Sequence, residues 1–62
     1  MPFHLIPVID GKVNHHYAVT YPSYSSIEQV RDHTRKMVEQ YSSEIHIFKN
    51  GELIEIFDLE VV

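Results

Sequence analysis

The 62-residue chain has no cysteine and no tryptophan, and only two glycines and three prolines. Without cysteine there is no disulfide framework, no thiolate to hold zinc and no thiol nucleophile, a composition that suits a reducing compartment. The expected location is the cytoplasm. Gly11 and Gly51 each follow a residue that favours tight turns, Asp10 and Asn50, so no glycine-rich phosphate loop can be assembled. No stretch approaches the roughly 18 apolar residues needed to span a bilayer, and the opening Met1-Pro2-Phe3-His4 lacks a basic segment followed by an apolar run. No membrane partner is expected.

Basic residues are also scarce, and the imbalance is local. Residues 1 to 43 hold four acids (Asp10, Glu28, Asp32, Glu39) against four bases (Lys12, Arg31, Arg35, Lys36). Residues 44 to 62 hold five acids (Glu44, Glu52, Glu55, Asp58, Glu60) against Lys49 alone, so the whole formal charge of −4 lies there. Nucleic-acid binding rests on clustered lysine and arginine, which makes a nucleic-acid partner unfavourable. An acidic surface of this kind complements a basic protein partner.

A chain of this length forms one domain, residues 1 to 62, with room for a single core. Domains of about 60 residues bury only about 60% of the surface their unfolded chain exposes, and small folds without covalent staples often gain stability by oligomerising. The stretch IHIFKNGELIEIF, residues 45 to 57, reads as a hairpin about Asn50-Gly51, the pair that best supplies the positive φ angles of a type I′ turn. A two-residue loop sets Lys49 against Glu52, Phe48 against Leu53, Ile47 against Ile54, His46 against Glu55 and Ile45 against Ile56. Strict alternation then places Ile45, Ile47, Ile54 and Ile56 on one face, as core, and Phe48, Leu53, Phe57, His46 and Glu55 on the other.

The complementary surface is a helix. Ser25 is the expected N-cap, with Glu28 at the capping-box position, and Ile27, Val30, Thr34, Met37, Val38 and Tyr41 follow at helical spacing. Glu28, Arg31, Asp32, Arg35, Lys36 and Glu39 form the solvated side, spaced for weak Asp32–Lys36 and Arg35–Glu39 pairs, and Ser42-Ser43 ends the helix. Residues 3 to 9 and 13 to 21 flank Asp10-Gly11-Lys12 as a first hairpin of undecided register. Pro7, which has no N–H, points to an edge strand. The expected fold is α+β: a single-domain ββαββ unit, with a four-stranded antiparallel sheet and one helix packed on one face.

One helix covers one side of such a sheet. The other side, bearing Phe48, Leu53 and Phe57 with His46 and Glu55, would be an exposed apolar patch, and such patches mark interfaces. The alternative is that Leu59, Val61 and Val62 fold over it. Five histidines raise the question of a metal, but His15 and His16 are adjacent and point to opposite faces of a strand, and no HxH or HxxxH pair occurs. A site would need His4, His16 and His46 from separate strands or from two protomers. No metal or other cofactor is expected, and the histidines read as polar strand residues, His46 beside Glu55, that would charge as pH falls toward 6.

The opening Met1-Pro2, running directly into a strand, resembles the small tautomerases that use a processed N-terminal proline as general base. That resemblance implies a catalytic role for Pro2 alone. It spans about the first nine residues. The family then proceeds to a helix, where this chain has VNHHYAVTY, and a retained Met1 would acylate the amine that the mechanism needs. Serines 23, 25, 26, 42 and 43 flank the helix as caps and loop residues. The preferred expectation is a non-catalytic protein-interaction module, an adaptor, inhibitor or regulator, associating with itself or with a basic protein. The alternatives are a sheet that stacks single-stranded bases on exposed aromatics, and the proline-based enzyme.

Overall fold

In the computed structural model, residues 2–58 are described. In chain order they form β1 (Phe3–Ile9), β2 (Lys12–Val13), a 3₁₀ turn (His15–Tyr17), β3 (Val19–Tyr21), α1 (Ile27–Tyr41), β4 (Glu44–Lys49) and β5 (Glu52–Phe57). The α+β class and the single helix agree with the sequence reading. The sheet, however, has five antiparallel strands in a βββαββ order, in place of the expected four.

The difference arises in the first hairpin. Asp10 and Gly11 form a two-residue turn, with φ of 53° and 76°, that sets Ile9 against Lys12 and Val8 against Val13. Further along, Leu5 pairs with Val19 and Phe3 with Tyr21. Three steps back along β1 thus match six forward along its partner, so three residues are looped out at the 3₁₀ turn. An odd insertion inverts which side chains share a face. Val19 and Tyr21 therefore join Leu5 and Phe3 against the core. Asn14 caps the turn, its Oδ1 accepting from the His16 N–H at 3.2 Å, and the Tyr17 ring lies 5.5 Å from that of Tyr41 on the helix.

Pro7 does not lie in an edge strand. β1 is interior, with β2 and β3 along one side and β4 along the other. The Pro7 carbonyl accepts from the Asn14 N–H at 2.8 Å, so its backbone faces the side where β2 and β3 are interrupted. The missing N–H is turned toward Asn14, whose carbonyl accepts instead from the Tyr17 N–H at 3.4 Å.

Asn50 and Gly51, with φ of 57° and 76°, form the expected second turn. Lys49 opposes Glu52 and Phe48 opposes Leu53, after which a β-bulge shifts the register: Ile47 faces Glu55, His46 faces Ile56 and Ile45 faces Phe57. Ile54 is the extra residue. From Glu55 onward every side chain of β5 takes the face opposite to the one that alternation from the turn assigns.

The core lies between this sheet and the helix: Phe3, Leu5, Ile45, Ile47 and Phe57 meet Val30, Met37 and Val38, with Ile27, Tyr41, Val19 and Tyr21 around the rim. Each fully buried aliphatic side chain stabilises by about 1.5–3 kcal/mol. Thr34 is also buried, and its hydroxyl donates to the Val30 carbonyl at 2.7 Å, which satisfies the polar atom within the helix. The N-cap is Ser26, one residue later than expected, its Oγ accepting from the Gln29 N–H at 3.2 Å. Ser42 ends the helix in the left-handed conformation that glycine more often supplies. On the solvated side Arg35 pairs with Asp32 at 2.9 Å.

Candidate functional site

The face of the sheet away from the helix is built in rows across the strands, because antiparallel partners share a face. The first row holds His4 on β1, Phe48 on β4 and Leu53 on β5, with Thr20 beside His4 on β3. The Thr20 hydroxyl and His4 Nδ1 lie 3.3 Å apart. The second row holds Ile6, His46 and Ile56, and the third Val8 and Glu44. Leu53 and Ile56 are 43% and 44% exposed, and Ile54 at the bulge is 44% exposed. Ile6, His46 and Phe48 are half-buried, and Val8 is buried yet stands outside the core cluster.

Three of the five residues expected on this face are there: Phe48, Leu53 and His46. Phe57 and Glu55 are not, and the bulge at Ile54 is the reason. Phe57 is 5% exposed within the core, where the Arg35 guanidinium lies 5.6 Å from its ring centre. Glu55 turns to the helix and accepts from Arg31 Nε at 3.2 Å and Nη2 at 3.0 Å. The bidentate bond to Glu55 is the main reason that the Arg31 guanidinium is held above its ordinary pKa range. Ile56, assigned by alternation to the core, lies on the open face. Ile6 and Glu44 also belong to it, and nothing local in the sequence marks them, since their places depend on the pairing of β1 with β4.

His46 has no contact partner in Glu55. Its Nε2 is shielded from solvent, accepts or donates no hydrogen bond, and lies 3.6 Å from Glu44 Oε2, beyond good hydrogen-bond length. Its row neighbours are both isoleucines.

Chemistry elsewhere is sparse. Among the described residues no group of three or more His, Asp or Glu side chains is arranged to hold a metal, and no helix is long and apolar enough to cross a membrane. A shallow cleft between α1 and β5 is lined by Arg31, Arg35, Glu55, Ile56 and Phe57. Both of its guanidiniums are already engaged, Arg31 with Glu55 and Arg35 with Asp32. His33 shares a 2.5 Å hydrogen bond with the Tyr21 hydroxyl, which ties the helix to β3. Pro2 is half-buried just before β1, and β1 leads into a hairpin where the tautomerase pattern has a helix. Met1 and the Leu59, Val61 and Val62 segment considered as a cover for the patch lie outside the described residues.

Comparison with protein families, curated proteins and solved structures gives no match to this chain.

Proposed function

We propose that this chain is a small non-catalytic interaction module that self-associates through the open face of its sheet. The observation that carries the proposal is a contrast between the face and the edges. An exposed strand edge invites pairing with another chain, and proteins blunt it with bulges and short strands. Here β5 carries the bulge at Ile54, and the opposite edge is split into strands of two and three residues by the 3₁₀ turn. The face between them presents Ile6, Phe48, Leu53 and Ile56. Docking by sheet extension is therefore disfavoured, whereas face-to-face packing about 10 Å apart gives these side chains an apolar partner.

The size is sufficient. A standard interface takes about 800 Å² from each partner, roughly a fifth of this chain's 4136 Å² surface. The closed symmetric solution is a dimer with the same patch on both copies.

Light scattering across concentration, with wild type and Phe48→Glu compared, tests this reading. The expected result is a dimer that the substitution converts to a folded monomer with an unchanged helix signal by circular dichroism. Ile47→Glu, which places an unpaired charge in a fully buried core position, is expected to unfold the domain. A wild-type monomer at every concentration refutes self-association.

A further inference from the structure

We infer that self-association is gated by pH through His46, whose imidazole must be neutral for the two faces to close; this rests on the self-association proposed above. His46 occupies the middle row of the open face on an interior strand, with Ile6 on one side and Ile56 on the other. Its Nε2 is already shielded from water without a hydrogen-bond partner. A second copy laid on this face removes the remaining solvent from the ring and brings in a second His46 by symmetry.

Every charged or titratable group near it bears on the sign. Glu44, two residues away on β4, is the one carboxylate among the described residues in contact, at 3.6 Å, and its side chain is 41% exposed. His4, on β1 in the adjacent row, is a second imidazole whose protonation adds charge of the same sign. On β5, Glu55 is turned to the helix and bound by Arg31, and Asp58 follows the end of the strand. A positive charge placed on His46 in the free monomer would have the partly hydrated Glu44 beside it. Docking strips water from that pair, and burying an ion pair costs more than its attraction returns unless further hydrogen bonds complete it. A neutral ring avoids the cost. Protonation of the ring therefore favours the separated chains over the closed pair, and acidification drives dissociation by linkage.

The test is the dimer dissociation constant measured by analytical ultracentrifugation between pH 8 and 5.5, for wild type, His46→Gln and His4→Gln. Because two imidazoles are buried per dimer, wild type is expected to weaken by at least about tenfold over this range. His46→Gln is expected to dimerise with little pH dependence, and His4→Gln to keep most of the wild-type response. A dimer whose affinity is flat with pH, tightens on acidification, or responds identically in His46→Gln overturns the gating and leaves the self-association standing. A monomer throughout overturns both. Circular dichroism at each pH separates dissociation from unfolding: loss of the helix signal in step with the dimer refutes a gate that acts on folded chains.

Discussion

Replacing Phe57 by alanine is expected to cost far more stability than replacing its neighbour Ile56, although alternation counted from the Asn50-Gly51 turn predicts the reverse. Phe57 is 5% exposed in the core and Ile56 is 44% exposed on the open face. Truncating a buried phenylalanine costs about 3–5 kcal/mol, the removed transfer energy plus that of the cavity left behind. The total stability of a domain this size is only about 3–9 kcal/mol, at about 0.05–0.15 kcal/mol per residue. Phe57→Ala therefore consumes much or all of it. Ile56→Ala removes a side chain that is nearly half exposed and leaves no core cavity, and is expected to cost about 1 kcal/mol. In a domain of this size each 1 kcal/mol corresponds to about 4–8 °C in Tm, so the two variants should differ by more than about 10 °C. The assay is thermal and urea unfolding followed at 222 nm, at a concentration low enough to keep every variant monomeric, because association raises apparent stability. If Ile56→Ala costs as much as Phe57→Ala, the bulge at Ile54 is absent and the division of faces fails with it.

Further consequences are open to the same measurements. Ser26→Ala removes the oxygen that accepts from the Gln29 N–H and should lower stability by about 1 kcal/mol, whereas Ser25→Ala should be close to neutral. Gly51→Ala should cost about 1 kcal/mol by chemical denaturation, since its φ of 76° strains any residue with a Cβ even though the space around it is open.

The parts legible in the sequence are those decided by neighbours along the chain. The helix stripe from Val30 to Tyr41, the two turns at Asp10-Gly11 and Asn50-Gly51, and the pairing of Phe48 with Leu53 all follow from local spacing and turn chemistry. The bulge does not, because LIEIF continues a regular alternation with no glycine or proline to mark the extra residue. Glu55 shows what offsets the irregularity: a carboxylate carried to the helix side by the shift finds Arg31 there, 24 residues earlier in the chain. That contact is invisible until the tertiary arrangement exists. Pro7 misled for a related reason. The rule that proline avoids interior ladders holds here for its backbone, but the looped-out His15–Tyr17 segment lets an interior strand satisfy it. The candidate face inherits both errors, losing Phe57 and Glu55 and gaining Ile56 and Ile6.

The position of β1 also governs how the chain can fold. β1 is synthesised well before β4, yet Phe3 pairs with Lys49 and Leu5 with Ile47, so the sheet closes only once β4 is available. Bringing such distant segments together costs loop-closure entropy before any contact rewards it, and non-local pairing of this kind slows folding. In the interval β1 has β2 and β3 along one side and nothing along the other, leaving an apolar strand half-paired. A ribosome-bound chain stalled before residue 44 would hold that strand open, and its rate of aggregation should fall abruptly once the second hairpin emerges.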